Sequence, residues 1–316
     1  MNKQNQILIA ILVIQIIIGA VVFWPNSVSQ AQAGPLLPDF SAANVDSLSI
    51  ADGEGNSLAL AKSGDDWVLP EADDFPADEA KITPFLEKIE AVESNRLVTQ
   101  TEASHQRLQV AAADFARKVD IGLSSGDSRT LYIGSSAGAG ATHVRAGDAP
   151  EVYLTGELTN WDANVQPSTW IDPVYFTVPQ TATISLTLEN VNGKFEFTRA
   201  GEAWTMNGLT EGETLDTDAV TRLVNSLSAV RMTRPIGKTE QPDFGLDVPH
   251  AVVILETSDE TYTLWVGAKN PDDDNYILKA SNSDYYVWIA AFTGDDLAQK
   301  ARTDFLVTAP EPTTAP

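Results

Sequence analysis

Serine and glycine motifs are the first features of this sequence whose spacing could support catalysis. Residues 122–126 (GLSSG) match G-x-S-x-G, which in α/β-hydrolases places a nucleophilic serine on a turn between a strand and a helix. Here Ser124 lies between two segments with strand patterns, so the motif predicts a hairpin turn. The glycine-rich residues 134–140 lack a following Lys-Ser/Thr and precede a strand pattern. They predict a flexible connection and not a phosphate loop.

Metal ligands and thiol chemistry have little support. The chain contains no cysteine, so thiolate sites, thiol nucleophiles and disulfides are excluded. His105, His143 and His250 are far apart, and none has an H-x-x-H or H-E-x-x-H neighbour, which argues against a catalytic zinc site. The acidic run 272–274 follows an Asn-Pro turn signal and lacks EF-hand spacing, so it predicts an acidic turn. We therefore predict no catalytic residue, no cofactor and no metal.

One enzyme class stays open. The carboxylates are too numerous for the sequence alone to select an acid–base pair of the glycosidase kind. An extracytoplasmic hydrolase or glycan-binding protein that uses carboxylates is therefore the alternative to a non-catalytic protein.

The charge balance excludes one class of partner. The chain has 44 acidic and 20 basic residues, a net charge of −24. Lys3 is the only charged residue before Asp39, so the rest of the chain carries −25. Such a field repels nucleic-acid phosphates and anionic lipid headgroups, because those contacts depend on clustered Lys and Arg. We predict that the protein does not bind nucleic acid.

Two amphipathic patterns recur with an offset of 138 residues. Both have apolar residues at i, i+3, i+4, i+7 and i+10, which predicts helices with one buried face. The first stripe is Ile82, Phe85, Leu86, Ile89 and Val92, and the second is Val220, Leu223, Val224, Leu227 and Val230. Asp78 and Asp216 precede them as candidate N-caps. Pro84 breaks the match, so the first helix could instead begin at Thr83 with Pro84 in its first turn.

Short alternating segments surround each helix pattern in the same order, which predicts strands with one buried face. Before the helices, the segments starting at Val45, Ser57 and Trp67 correspond to those starting at Thr183, Lys194 and Ala203. After the helices, the segments starting at Lys118, Thr130, Thr142 and Glu151 correspond to those starting at Ala251, Tyr262, Asn275 and Tyr285.

The repeated order predicts an α+β fold with two tandem copies of a mainly antiparallel sheet, each packing one amphipathic helix, after an N-terminal transmembrane helix. The predicted divisions are a cytoplasmic stub and transmembrane anchor at 1–24, a flexible tether at 25–44, repeats at 45–178 and 179–306, and a disordered tail at 307–316.

Five short motifs occur along this arrangement, namely Trp67-Val68-Leu69, Pro76-Ala77-Asp78, Leu131-Tyr132-Ile133-Gly134, Val152-Tyr153-Leu154 and Phe244-Gly245-Leu246. In these motifs the chain resembles the family named domain of unknown function 4340. The family pattern has a Tyr-Gly-Leu step, which Phe244-Gly245-Leu246 matches. The first copy departs from the pattern at 105–108, where no such step is present. The resemblance implies an anchored accessory protein, often encoded beside a gliding-type ABC transporter and its auxiliary subunit, and it supplies no catalytic residues.

The first segment predicts location. Ile7 to Trp24 is an uncharged run of 18 residues interrupted only by Gln15, long enough for a membrane helix. Lys3 precedes it and the next basic residue is Lys62, so the amino end is predicted to be cytoplasmic and the rest extracytoplasmic. Cleavage after the Ala-x-Ala ending at Ala33, with secretion, is the alternative.

An anchored chain without catalytic residues predicts a scaffold or binding protein. Its expected partner is a membrane protein, such as an ABC transporter permease or its auxiliary subunit. The later strands of the second copy are rich in aromatic residues, some of which must face away from the core. We predict that Tyr286 and Trp288 belong to a partner-binding face, the alternative being that these residues fill the second core. The full aromatic set is Tyr262, Trp265, Tyr276, Tyr285, Tyr286, Trp288 and Phe292.

Overall fold

The computed structural model of the chain describes residue 15 and residues 34–147, 149–201 and 203–307. Apart from Gln15, the predicted span lies outside the described residues, as do the predicted cleavage site at Ala33 and the predicted tail beyond Val307. Within the described part of the chain, no helix combines the length and the apolar character needed to cross a bilayer.

The first sheet is built from residues 45–155. The strands of this part are β1 (Val45–Asp52), β2 (Ser57–Ser63), β3 (Asp66–Leu69), β4 (Phe75–Pro76), β5 (Leu97–Thr99), β6 (Val110–Ala111), β7 (Asp114–Phe115), β8 (Arg117–Leu123), β9 (Ser128–Gly138), β10 (Ala141–Ala146) and β11 (Val152–Thr155). Among the described residues, nine of these strands form one sheet in the order β4-β3-β2-β1-β8-β9-β10-β11-β5, and β6 pairs with β7. At its centre Leu48 of β1 lies opposite Ile121 of β8, and both are buried. The predicted alternation therefore sets which face is buried.

The second sheet is built from residues 174–289. Its strands are β12 (Val174–Thr177), β13 (Thr183–Asn190), β14 (Gly193–Ala200), β15 (Ala203–Met206), β16 (Ala229–Gly237), β17 (Ala251–Thr257), β18 (Thr261–Lys269), β19 (Tyr276–Ala280) and β20 (Tyr286–Ile289). They pair antiparallel in the order β12-β16-β20-β19-β18-β17-β13-β14-β15. Because β12 pairs with β16, the second sheet begins before the predicted boundary between Val178 and Pro179.

The two sheets have the same strand order. Eight strands of the first sheet run β3-β2-β1-β8-β9-β10-β11-β5, and their counterparts in the second run β15-β14-β13-β17-β18-β19-β20-β16. Each sheet carries one further strand, β4 beside β3 and β12 beside β16. With helices packed on two mostly antiparallel sheets, the architecture is α+β.

Three α-helices lie within residues 34–307, namely α1 (Glu79–Glu90), α2 (Thr217–Leu227) and α3 (Ala291–Gln299). Asp78 accepts a hydrogen bond from the N–H of Ala80, and Asp216 accepts one from Ala219, both at 3.0 Å. Both predicted N-caps are confirmed. The alternative start at Thr83 is wrong, because Asp78 caps the helix and Pro84 lies inside it.

The apolar stripes of α1 and α2 are buried as predicted. The N-cap residue of each helix donates its N–H to a carbonyl from later in the chain. Asp78 donates to Trp170 at 2.7 Å, and Asp216 donates to Phe305 at 2.9 Å. Phe85 of α1 packs edge-on against Trp170 with ring centroids 5.1 Å apart. The two helices are therefore held in the same way.

The described part of the predicted tether, residues 34–44, is folded onto the first sheet. Leu36, Leu37 and Phe40 are buried, and the N–H of Leu36 donates to the carbonyl of Val92 at 2.7 Å. Flexibility was predicted here because the prolines and the absence of periodicity are typical of linkers. Burial of three large apolar side chains stabilises the ordered segment instead.

A continuous apolar cluster joins the two sheets. At its edge the N–H of Lys238 donates to Asp73 at 2.6 Å, and the hydroxyl of Tyr285 donates to the carbonyl of Asp74 at 3.0 Å. The rings of Phe75 and Tyr285 meet edge-on, with centroids 4.8 Å apart. Asp73 and Asp74 both have positive φ, at 53° and 57°, close to the usual left-handed value. These contacts connect the turn before α1 to the second sheet.

One strained step recurs in both sheets. Gln109 has φ 56° and Gly245 has φ 65°, and the residue before each of them closely approaches a strand glycine. A Cβ at Gly134 would lie 2.1 Å from the carbonyl oxygen of Leu108, and one at Gly267 would lie 2.2 Å from that of Phe244. Residues 108–110 therefore take the place of 244–246. The first sheet therefore has the same left-handed step, at Gln109, although no Tyr-Gly-Leu motif stands at 105–108.

Candidate functional site

The histidines do not meet. His105 is buried and its Nε2 lies 2.9 Å from the carbonyl of Pro150, whereas the Nδ1 of His143 lies 2.8 Å from the carbonyl of Ser135. His250 packs edge-on against Tyr276. In the described ranges, no group of three or more His, Asp or Glu side chains is arranged to hold a metal ion.

The glycine motifs have structural roles. Ser124 lies in the turn between β8 and β9, and the N–H of Gly126 donates to the carbonyl of Leu123, so the predicted hairpin is confirmed. The flexible connection predicted at 134–140 is wrong, because β9 continues to Gly138. β9 and β10 pair antiparallel with register shifts on both sides of Thr142, and the residues of the tight turn at 138–140 have positive φ.

The acidic run 272–274 forms the predicted turn, between β18 and β19. Asp274 pairs with Lys269 at 3.4 Å, and Asp273 pairs with Arg234 at 3.8 Å. These two carboxylates therefore interact with cations of the protein itself.

Five described carboxyl groups have a pKa below the ordinary value. Hydrogen bonds lower the pKa of Glu196, Glu213 and Asp295, and that of Glu213 falls to about 2. At Asp52 and Asp162 burial raises the pKa, but hydrogen bonds outweigh it. All five groups are ionised at neutral pH, so none of them is suited to donate a proton as a general acid.

Tyr286 and Trp288 lie two positions apart on β20, and so on the same side of the strand, but differ in exposure. Tyr286 is 8% exposed and packs against Phe244 and Ile277, and its hydroxyl donates to Glu240 at 3.1 Å. Trp288 is partly buried, and the guanidinium of Arg234 lies 5.3 Å from the centre of its ring. Within this pair a partner could contact mainly Trp288, because Tyr286 fills a small core.

Phe292 is the exposed member of the predicted aromatic set. It stands in the first turn of α3 with 78% of its surface exposed. Gly294 positions this turn, because a Cβ there would lie 2.1 Å from the ring of Tyr276. The hydroxyl of Tyr276 donates to Asp295 at 2.7 Å, and Lys269 lies 3.2 Å from the same carboxylate. Helix α3 is therefore fixed on β18 and β19, and it presents Phe292 outward.

Beside Phe292 lies an open groove of about 560 Å³ between the carboxyl end of α2, β16 and α3. Most of its lining is apolar, and Arg231 and Asp296 are the charged residues that line it. The apolar lining residues are Leu227, Ala229, Val230, Met232, Ala290, Phe292 and Leu297. We call this the Phe292 groove. Its shape and polarity suit an apolar side chain of a partner.

A second groove lies on the first half, beside α1. It has a volume of about 450 Å³, and its rim carries Trp161, which is 84% exposed. Lys88 of α1 pairs with Asp162 at 2.5 Å, which holds the Trp161 segment against the helix. The amino group of Lys81 donates to the carbonyl of Ile171. Sequence reasoning did not select Trp161, although a lone tryptophan within the polar run 159–164 could have indicated an exposed aromatic residue.

Comparison with known proteins identifies a family and no closer relative. The sequence model of a family described as Domain of unknown function (DUF4340) matches residues 67–249 and 214–313. No curated protein and no solved structure matches the chain.

Proposed function

The chain belongs to the domain of unknown function 4340 family, and from this premise we propose that it is a membrane-anchored extracytoplasmic protein that binds a membrane protein partner. The proposal assigns it no catalytic step. Its support comes from three features: the apolar residues 7–24, the acidic folded part that follows, and the exposed Phe292 groove.

The proposed anchor is a single membrane helix at residues 7–24, with the amino end in the cytoplasm. Its support is the uncharged run of 18 residues preceded by Lys3. We expect the intact chain to stay with membranes during carbonate extraction, because high pH does not displace a spanning helix. Release of a soluble species that begins at Gly34 would contradict the anchor and favour cleavage and secretion.

We propose further that the folded part arose by tandem duplication of one α+β unit. The equal strand order, the two capped helices and the two left-handed steps at Gln109 and Gly245 support this origin. The segment 34–37 corresponds to β12. The segment runs beside the chain that follows α1, and β12 runs beside β16, which follows α2. The proposed units therefore begin near Gly34 and Asp172, earlier than the strand pattern alone predicts.

The observation that carries the binding role is the Phe292 groove. An aromatic side chain with 78% of its surface in solvent, beside a mostly apolar groove, gives a partner large contact area at low entropic cost. Tyr286 is less suited to this role, because it is 8% exposed. The proposed face thus remains in the second half of the chain but centres on Phe292, with Trp288 as a second candidate contact.

The proposed partner is an integral membrane protein, such as a permease or auxiliary subunit of an ABC transporter. The resemblance of the chain to anchored accessory proteins supports this class. An anchored protein samples only its near surroundings, which raises the effective concentration of any neighbour in the membrane.

Site-specific crosslinking in native membranes tests the proposal. A photo-reactive phenylalanine derivative would replace Phe292, and the same derivative at Val248, which is 83% exposed, serves as the matched control. We expect a discrete adduct from position 292 that mass spectrometry identifies as a transporter subunit, and no such adduct from position 248. Equal adducts at both positions, or adducts with soluble proteins alone, would contradict the proposed face.

A further inference from the structure

Trp161 is exposed to an unusual degree for a tryptophan. Its side chain has 84% of its surface in solvent, although the neighbouring Trp170 is buried at 2%. Single exposed apolar residues are common, but a tryptophan on the rim of a groove extends a continuous surface of the kind that contacts partners or membranes. Trp161 stands on the rim of the groove beside α1, and we call this surface the Trp161 face, formed by Lys81, Pro84, Lys88, Trp161, Asp162 and Thr169.

The Trp161 face differs in charge from the rest of the protein. Lys81 pairs with Asp78 at 3.8 Å and Lys88 pairs with Asp162 at 2.5 Å, so the face is close to neutral, whereas the chain after Lys3 carries −25. The side chains of Lys81 and Lys88 are 37% and 46% exposed. The glutamates of α1 do not line this groove. The face is therefore locally neutral on an acidic protein, so the charge repulsion that opposes contact with lipid headgroups is weaker here than over the molecule as a whole.

The Trp161 face also lies near the place where the chain enters the fold. Gly34 accepts a hydrogen bond from the N–H of Ser94 at 2.8 Å, just beyond the carboxyl end of α1. Lys88, which holds the Trp161 segment, lies about 6 Å along the chain axis from Val92 at the helical rise per residue. The carbonyl of Val92 accepts the N–H of Leu36 at 2.7 Å. The groove runs along α1 from Ala80 to Lys88, and its Lys88 end, where Lys88 pairs with the residue after Trp161, is the end nearer the entry point.

Little chain separates this end from the apolar segment. Nine residues, 25–33, connect Trp24 to Gly34. Even when fully extended, they would reach about 30 Å. If residues 7–24 span the membrane, the carboxyl end of α1 must stay within that distance of the bilayer surface.

We propose that the Trp161 face rests on the lipid headgroups of the membrane in which the chain is anchored, with Trp161 inserted at the interface. This inference rests on the proposed membrane anchor. Tryptophan prefers the interface because its ring is apolar and its N–H is polar. Lys88 keeps its ion pair with Asp162, and its aliphatic stem lies against the headgroup region beside Trp161. The contact fixes the orientation of the folded part, so that one end of α1 faces the bilayer.

Fluorescence of the full-length chain in vesicles tests the inference. The chain would be reconstituted into phosphatidylcholine vesicles, with and without bromine on the acyl chains, as wild type and as Trp161→Phe. Subtraction of the two spectra isolates Trp161 from the other tryptophans, including Trp24. We expect the Trp161 emission to be blue-shifted and to lose most of its intensity in brominated vesicles. Equal far-UV circular dichroism of the two proteins would show that the exposed position tolerates phenylalanine.

A matched control places a tryptophan at the end of the first sheet that lies away from the point where the chain enters the fold. Glu54 lies in the turn after β1, and a strand of eight residues is about 26 Å long. In the Trp161→Phe background, Glu54→Trp should add emission that aqueous iodide quenches and brominated lipid does not.

The outcomes separate the two proposals. If the chain remains in the vesicles through a carbonate wash but iodide quenches Trp161 and brominated lipid does not, the lipid contact is overturned and the anchor stands. That result is also expected if the Trp161 face binds a protein. If carbonate releases the chain, the anchor and the lipid contact are both overturned.

Discussion

Alanine at Gly267 tests the close approach of two backbone segments that both sheets share. The new Cβ would lie 2.2 Å from the carbonyl oxygen of Phe244 and 3.0 Å from Leu246. An ordinary contact between carbon and oxygen is more than 3 Å, so the backbone of the Phe244 step must move by about 1 Å. Shifts of this kind in a packed region cost about 1–3 kcal/mol, and we expect the upper part of that range because the obstacle is backbone.

The assay for Gly267→Ala is thermal unfolding of the full-length chain in detergent, with Gly156→Ala as the control. No heavy atom lies within 4 Å of a Cβ built at Gly156, so this control should change the stability by less than about 0.5 kcal/mol. A loss of 2–3 kcal/mol corresponds to a fall in Tm of roughly 4–12 °C for a domain of this size. Gly134→Ala should behave like Gly267→Ala. Equal melting of the Gly267→Ala and Gly156→Ala proteins would refute the reasoning.

Three further predictions concern the same fold. Gln109→Gly should raise the free energy of unfolding by about 0.5–1 kcal/mol, because Gln109 is exposed and has φ 56°; a lower Tm would contradict this. Phe85→Ala and Leu223→Ala should each cost about 2–5 kcal/mol in denaturant unfolding, since both are almost fully buried, and near-neutral results would contradict the packing of the helices. The hydrogen bond with Arg302 lowers the pKa of Glu213 from 4.5 to about 2. The ionised Glu213 therefore stabilises the fold fully above pH 4.5, and this contribution is lost as the pH falls through 2. Glu213→Gln should flatten the Tm profile in that pH range, and an unchanged profile would contradict the pairing.

Much of the fold was predictable because the buried faces of its elements repeat at short periods. Alternation of apolar residues identified the central strands, including β1, β8, β13 and β17, and the i, i+3, i+4 spacing identified α1 and α2. The N-caps Asp78 and Asp216 were readable from their position before the stripes.

Other elements have no such period. The sequence did not indicate β12 or β16 as strands, or α3 as a helix, and it read residues 34–44 as a tether. The short strand β12 is ordered by its pairing with β16, and the segment 34–44 by burial of Leu36, Leu37 and Phe40. These are long-range contacts, which local propensity does not encode.

The candidate surfaces show the same limit. The aromatic set read from the sequence contained both Tyr286 and Phe292, and only the packing of the tertiary structure separates the buried residue from the exposed one. Trp161 was not selected, because its exposure depends on how the segment after β11 returns across α1.

The sequence by itself determined the absence of cysteine chemistry, the acidic charge, the apolar first segment and the repeated order of strands and helices, since composition and periodicity are local properties. Only the tertiary structure decided that Gln109 takes the same left-handed conformation as Gly245, that the two sheets share one apolar core, and that Phe292 and Trp161 stand outward beside grooves. Exposure and close approach depend on which distant segments meet. They are therefore settled when the chain packs, and not by the order of its residues alone.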